Sequence, residues 1–128
     1  MLNIQIQDSE IVWLQADKNE FQILKSTCKT VSQHIKGGFH ARIGATRDEV
    51  EEIVRLITEA IFFLDGQQNQ QLKTQVSVSL DQLRIIGQFL NEACNGIRIF
   101  YFENQIGTNR NELISFLALV SKVYRANR

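Results

Sequence analysis

The sequence predicts an α+β fold, with about four helices packed on one face of a small, mostly antiparallel sheet. Two observations favour this class. Short stretches that alternate apolar and polar residues predict strands near the N-terminus and again near residue 76. Longer stretches with apolar residues every three or four positions, each preceded by a capping motif, predict helices. A chain of 128 residues is long enough for a single domain with its own core.

Two repeats, about residues 1–64 and 65–128, make up this domain. The motif Phe-x-x-x-Ile-Gly-x-x-Arg-x-Glu begins at Phe39 and begins again at Phe102, 63 residues later. The apolar positions of the preceding helix recur 62 residues later. Because two units are too few for a solenoid, we predict internally duplicated strand–helix–helix units closed into one domain.

The first repeat begins with a predicted β-hairpin. Leu2, Ile4 and Ile6 alternate with polar residues and predict a half-buried strand. The dipeptide Asp8-Ser9 is typical of a turn. Residues 11–14 are apolar on both faces and predict a more central strand.

Two helices follow in the first repeat. Asp17 and Glu20 form a capping box for the first helix, which Gly37-Gly38 is expected to end. Thr46 and Glu49 form the box of the second helix, which runs to about residue 64. The stripe predicted to be buried on the first helix consists of Phe21, Leu24, Cys28, Val31 and Ile35.

The second repeat follows a glutamine-rich connection at residues 67–71, which we expect to be a mobile loop. A strand near residues 75–80 leads to a third helix capped by Ser79, and Gly96 is expected to close it. Asn109 caps the last helix, whose tail is basic. The stripe equivalent to that of the first helix consists of Leu83, Ile86, Leu90, Ala93 and Ile97.

No catalytic, cofactor or metal site is predicted. His34 and His40 lack a third ligand at a suitable spacing from Cys28. Cys28 and Cys94 have no CxxC neighbour and are interpreted as buried free thiols. The seven glycines fit no phosphate-binding loop. We therefore expect a protein that is not an enzyme.

Arg47 and Arg110 recur at the first turn of a helix, where a positive charge opposes the helix dipole. Because this unfavourable placement of a positive charge occurs twice, Arg47 and Arg110 are candidate partner-binding residues. An ion pair with a neighbouring acid, or a hydrogen bond to a carbonyl of the other repeat, would also explain them. The complete set of candidate partner-binding residues is Arg47, Arg110, His40, Glu103, Lys122 and Arg125.

Residues 90–97 (LNEACNGI) and the second copy of the long motif resemble small bacterial proteins of toxin-immunity families. The resemblance covers about the last 45 residues. It implies a cytoplasmic, non-catalytic protein that binds and blocks another protein, and it implies no active residues. Gln105 stands where the pattern has Arg, whereas Arg42 fills the matching place in the first repeat.

The predicted function is a non-enzymatic protein-interaction module, with immunity-type inhibition of a partner protein as its sharpest form. The alternative is a nucleic-acid-binding regulator that uses the basic C-terminal helix. A net charge of zero argues against nucleic acid as the partner. The helix after Thr46 would be an acidic recognition helix, with a net charge of −3 up to Glu59.

The sequence predicts a cytoplasmic protein that forms a homodimer. The N-terminus has no basic region followed by a continuous apolar run, so we expect no signal peptide and a cytoplasmic protein without a membrane span. The first 64 residues have a net charge of −2 and the last 64 a net charge of +2. Opposite charges and open sheet edges lead us to expect a homodimer.

The first testable prediction concerns the two equivalent stripes. Leu24→Ala and Ile86→Ala should each lower the free energy of unfolding by about 2–5 kcal/mol, because both remove buried methyl groups. Lys25→Ala, at a polar neighbouring position, should change it by less than about 0.5 kcal/mol. Denaturant titration measures all three variants, and equal small effects would show that the stripe is not the packed face.

Overall fold

Strands and helices in the computed structural model follow the predicted α+β order. The structure describes residues 2–8, 10–68 and 72–128. The elements within them are β1 (Asn3–Ile6), β2 (Ile11–Asp17), α1 (Lys18–His34), α2 (Phe39–Ile43), α3 (Arg47–Asp65), β3 (Lys73–Ser79), α4 (Leu80–Asn91), α5 (Phe102–Ile106) and α6 (Arg110–Asn127). A π turn, Glu92–Gly96, continues α4. The α+β fold class is confirmed.

One antiparallel sheet with the strand order β1-β2-β3 forms a layer beneath the helices. β1 and β2 form the predicted hairpin, with Ile4 opposite Leu14. β3 pairs with the other edge of β2 and places Val76 opposite Leu14. Val12 and Leu14 are buried, whereas Trp13 between them is partly exposed. The helices therefore cover one face of the sheet and leave the other open.

In the helix layer, α1 and α4 pack on each other, α3 packs on α1, and α6 packs on α4. Leu24 and Ile86 are each 2% exposed, which confirms that both are core positions. The end of the α4 stripe differs from the prediction, because Ile97 is only half-buried and Ile99 is buried instead. In the π turn the Ile97 amide donates to Glu92 O, five residues back, which changes the direction of the side chains that follow.

In each half of the chain, the connector between the two long helices contains a five-residue helix that the sequence pattern did not predict. α2 begins at Phe39 and is capped by Gly44, and α5 begins at Phe102 and is capped by Gly107. Both glycines are left-handed, with φ of 78° and 96°, a conformation in which a Cβ would be strained. The repeated Phe-x-x-x-Ile-Gly motif therefore encodes a short helix with a left-handed end.

The short helices pack across the middle of the domain. α2 contacts α4, and α5 contacts α1, so each half covers the first long helix of the other. Ile43 and Ile106, near the ends of the short helices, are 1% and 0% exposed. The order strand, long helix, short helix, long helix occurs twice in one shared core. An ancestral duplication stays a prediction from the sequence.

The predicted helix starts are confirmed. The following side chains accept a hydrogen bond from the amide three residues later: Asp17, Thr46, Ser79 and Asn109. The reciprocal bond that completes a capping box is present at the first three. At the fourth, the Glu112 carboxylate accepts from the Thr108 hydroxyl at 3.0 Å instead.

Two helix ends differ from the prediction. α1 ends at His34, with the extended residue Ile35 as its C-cap, so Gly37-Gly38 does not close it. Gly38 instead adopts a φ of 69° and is the residue that caps the start of α2. Gly96 lies inside the π turn and is not among the left-handed glycines of the described residues. A side chain at position 96 would instead overlap with the carboxylate of Glu92.

Two predicted connections lie partly outside the described residues. In the first, Asp8 Oδ1 accepts from the amides of Glu10 at 2.8 Å and Ile11 at 3.0 Å, as in an Asx turn, while Ser9 is not described. In the second, the predicted mobile loop at 67–71, residues 69–71 are outside the described part.

The second testable prediction concerns the caps. Asp17→Ala, Thr46→Ala, Ser79→Ala and Asn109→Ala should each lower the free energy of unfolding by about 0.5–2 kcal/mol, because each leaves a helix amide without its acceptor. The midpoint of urea unfolding is the measurement. Unchanged midpoints in all four variants would show that the caps contribute nothing.

Candidate interaction surfaces

The recurring arginines lie on aromatic rings of their own connectors. The guanidinium carbon of Arg47 is 4.1 Å from the centroid of the Phe39 ring, and that of Arg110 is 4.6 Å from the centroid of Phe102. Such contacts contribute about 0.5–1 kcal/mol at exposed sites. This gain offsets the roughly 0.3–1 kcal/mol by which a positive charge opposes the dipole at a helix start. The stacking therefore explains why arginine is tolerated at this position.

Arg110 also binds the end of α4. Its Nη1 donates to Ala93 O at 3.4 Å and to Cys94 O, two carbonyls of the π turn. One alternative from the sequence was a hydrogen bond to a carbonyl of the other half of the chain, but Ala93 and Cys94 belong to the same half as Arg110. A cationic side chain that satisfies carbonyls at a helix end stabilises that end.

An ion pair with two hydrogen bonds joins the halves of the domain. Arg42 Nε donates to Glu92 Oε1 at 3.2 Å, and Nη2 donates to Glu92 Oε2 at 2.8 Å. The same Nη2 donates to Gly96 O at 3.1 Å. Glu92 is only 7% exposed, so the arginine supplies the hydrogen bonds that a buried carboxylate requires.

Gly96 leaves the space that this carboxylate occupies. A Cβ built on Gly96 would overlap with Glu92 Oε2, closer than a real Cβ approaches another atom. Any other side chain at position 96 would therefore displace the carboxylate from Arg42. The π turn, the glycine and the ion pair form one unit.

Two further side chains of α4 hold the end of α2. Arg84 Nη2 donates to Gly44 O at 2.9 Å, and Gln88 Nε2 donates to Arg42 O at 3.1 Å. Both bonds satisfy carbonyls that the end of a short helix leaves without an intrahelical partner. The contact between α2 and α4 is thus polar at its rim and apolar beneath.

The contact between α5 and α1 is built differently. Gln105, which corresponds to Arg42, donates from Nε2 to Phe100 O at 2.9 Å within its own connector. The backbone oxygen of Gln105 accepts a long hydrogen bond of 3.5 Å from Thr30 Oγ1 on α1. The two contacts between the halves therefore differ in charge, although the element order is the same.

Each half has one groove between its two long helices. The groove between α4 and α6 has a volume of about 430 Å³, and its charged lining residues are Arg84 and Arg125. The groove between α1 and α3 has a volume of about 380 Å³ and is lined by Lys29, Arg47 and Glu51 among others. The first groove is basic, and the second carries both charges.

The six predicted partner-binding residues lie on four helices. His40 and Glu103 occupy equivalent first-turn positions on α2 and α5, and both are exposed. Lys122 and Arg125 are exposed near the end of α6. The remaining two, Arg47 and Arg110, begin α3 and α6 and stack on their connectors.

Exposed aromatic side chains are the feature that sequence reasoning missed. Phe62 and Phe63 are 80% and 54% exposed near the end of α3, and Phe100 and Tyr101 are 64% and 80% exposed just before α5. One signal in the sequence could have revealed both pairs. The positions that correspond to them in the other half are Arg125-Ala126 and Gly37-Gly38.

The two cysteines are buried and free. Burial raises the pKa of the Cys28 thiol to about 12. Burial also raises the pKa of Cys94, against the opposing effect of Arg110. Both are therefore neutral thiols near pH 7, and the thiolate is the form that reacts or binds metal. In the part of the chain that the structure describes, no group of three His, Cys, Asp or Glu side chains could hold a metal ion.

The acidic and basic helices lie on opposite flanks of the helix layer, because α3 packs on α1 and α6 packs on α4. On α3, Arg55 contacts both Glu52 and Glu59. Its hydrogen bond holds the pKa of Glu52 below the ordinary value. Part of the acidic face is thus already neutralised by an arginine on the same helix.

No family model, curated protein or solved structure matches this chain significantly. Within residues 2–8, 10–68 and 72–128, no helix is both long enough and apolar enough to cross a bilayer.

The third testable prediction concerns Gly96. Gly96→Ala should lower the free energy of unfolding by about 1.5–3 kcal/mol, because the new methyl group displaces the Glu92 carboxylate from its hydrogen bonds with Arg42. The φ of Gly96 is not positive, so alanine itself is compatible with the backbone there.

A double-mutant cycle supplies the control. In a Glu92→Ala background, Gly96→Ala should be neutral or should stabilise by up to about 1 kcal/mol, as glycine replacements do at compatible sites. Equal losses in both backgrounds would mean that the glycine serves the backbone and not the ion pair.

Proposed function

We propose that this protein is a non-enzymatic interaction module that binds another protein through an aromatic spur, Phe100-Tyr101. The observation that carries the proposal is that both side chains are largely exposed and that Tyr101 adopts a φ of 55°. Tyr101 is the only residue other than glycine with a positive φ in the described part of the chain. Left-handed backbone costs an L-residue roughly 1–2 kcal/mol.

The first connector serves as an internal comparison. Gly38 stands immediately before α2, as Tyr101 stands before α5, and its φ is 69°. Glycine therefore fits this position without strain, and folding does not require tyrosine there. Strained residues that the fold does not need are typical of binding and catalytic sites.

The spur is held in place by its own connector. Gln105 Nε2 donates to Phe100 O at 2.9 Å, and the Arg98 guanidinium lies 5.2 Å from the centroid of the Phe100 ring. A fixed backbone lowers the entropy that binding would otherwise cost. Aromatic and arginine side chains are also the residues most enriched at the energetic centres of protein interfaces.

The most specific version of this function is an immunity-type inhibitor that binds and blocks a partner protein in the cytoplasm. The spur lies within the C-terminal stretch that resembles toxin-immunity proteins, between the LNEACNGI segment and the second long motif. An inhibitor of this kind needs a rigid surface that covers a site on its partner and needs no catalytic groups of its own. The buried, neutral thiols are compatible with such a role.

A nucleic-acid-binding role is a second candidate, favoured by one observation on α6. Lys122, Arg125 and Arg128 are exposed, and none of them takes part in an ion pair in the described part of the chain. Phosphate contacts would make such binding fall steeply with salt. The net charge of zero favours the protein partner.

The fourth testable prediction separates strain from binding at Tyr101. Tyr101→Gly should raise the free energy of unfolding by about 0.5–1 kcal/mol, since relief of roughly 1–2 kcal/mol of strain exceeds the roughly 0.5–1 kcal/mol cost of glycine flexibility. The protein encoded by the adjacent gene is the first candidate partner to test. The same variant should bind that protein at least about tenfold more weakly than the natural chain does, because it loses an interface aromatic.

Capture of that gene product on immobilised protein, followed by calorimetry, measures the affinity. Phe62→Ser is the matched control, because Phe62 is as exposed as Tyr101 but lies on α3. Absence of any complex, or unchanged affinity in a Phe100→Ser, Tyr101→Gly double variant, would refute the proposal. Retention on DNA that disappears with salt would support the nucleic-acid alternative.

A further inference from the structure

We propose that two copies of this chain pair through the open edge of β3 and form one six-stranded antiparallel sheet across a twofold axis. Within residues 2–8, 10–68 and 72–128, β3 is an edge strand, because the strand order is β1-β2-β3 and β2 occupies only one of its sides. Its other side carries backbone donors and acceptors that a further strand could pair. This surface lies on β3 and α3, whereas the aromatic spur lies just before α5, so pairing of two copies does not require the partner protein.

The edge of β3 lacks the features that keep sheet edges apart. Residues 74–79 contain no charged side chain, and the chain contains no proline. The single charge of β3 is Lys73 at its first position. The opposite edge of the sheet is different, because β1 is only four residues long. Short strands, charges, prolines and bulges are the usual protection of an edge, so β3 is the edge suited to pairing.

The side-chain pattern of β3 allows it to pair with itself. Val76 and Val78 are buried under the helices, whereas Gln75 and Ser77 are exposed on the open face. An antiparallel register centred on Val76 places Gln75 of one copy opposite Ser77 of the other. Each apolar residue then lies on the same face as its partner, and both helix layers lie on one side of the new sheet.

The surface beside the edge explains why a second copy fits better than an extended peptide. A groove of about 320 Å³ runs between α3 and β3 and is lined by Leu56, Ala60, Phe63 and Val76 among others. Phe63 is 54% exposed, and Leu72, just before β3, is 36% exposed. A peptide strand would cover the backbone edge alone. A second copy brings its own α3 to the same side, which also covers this apolar surface.

The fifth testable prediction is a dimer mass for the full chain at tens of micromolar protein, measured by light scattering on a sizing column. Two double variants test the register. Gln75→Lys with Ser77→Lys places like charges opposite each other, as does Gln75→Glu with Ser77→Glu. Each double variant alone should dimerise at least about tenfold more weakly than the natural chain. An equimolar mixture of the two should form a heterodimer, because every facing pair then has opposite charges.

A matched control carries the same charges on the other edge. Asn3→Lys with Gln5→Lys alters the open face of β1 and should leave the dimer mass unchanged. Phe63→Ser, which leaves the strand intact, should weaken the dimer. Circular dichroism of every variant confirms that it is folded.

Three outcomes would overturn the proposal. The first is a monomer mass for the natural chain at tens of micromolar. The second is a dimer that both double variants preserve, which would place the interface elsewhere, as on the charged flanks of α3 and α6. The third is two monomeric double variants whose mixture also stays monomeric, because a β3 interface in the stated register must respond to opposite charges.

Discussion

The reciprocal packing of α2 on α4 and of α5 on α1 is the constraint on which the rest of the structure depends. Neither half can complete the cover of its own first long helix, so the apolar surface of each half is buried only when the other is present. The repeated motif follows from this constraint. Ile43 and Ile106 supply the buried anchors, and Gly44 and Gly107 turn the chain back into its own half.

The polar contacts around these crossings specify the arrangement more than they stabilise it. Arg42 leaves 43% of its side chain exposed, so its attraction to Glu92 is partly screened by water. The carboxylate of Glu92 is almost fully covered, however, and any packing that removed the arginine would leave it without donors. Alternative placements of α2 are therefore disfavoured by the cost of an unpaired carboxylate. The neutral contact of Gln105 with its own connector imposes no such penalty on α5.

The sequence was informative where local chemistry decides the structure. Caps and apolar stripes are encoded within a few residues, and Asp17, Thr46 and Leu24 lie where the patterns predicted them. The short helices were missed because five residues give too little periodicity to recognise. The π turn was missed because its contact with the rest of the fold, the pair of Glu92 and Arg42, joins residues 50 positions apart in the chain. The candidate interaction surfaces show the same difference between local signals and contacts of distant residues. The arginine positions were visible in the sequence, but the exposure of Tyr101 and the open edge of β3 depend on how distant elements pack.

The pairing of β2 with β3 also bears on how the chain folds. Even the closest residues of this ladder, Asp17 and Lys73, are separated by the whole of α1, α2 and α3. Contacts between residues so distant in sequence require a large loop to close, which slows folding relative to local structure. While the chain leaves the ribosome, the β1–β2 hairpin and the first three helices emerge before β3, which is the strand that pairs with β2. During that interval β2 exposes an unpaired edge and the apolar face of α1 lacks α5. The nascent first half is therefore the stage at which this protein is most exposed to misassociation and to chaperones.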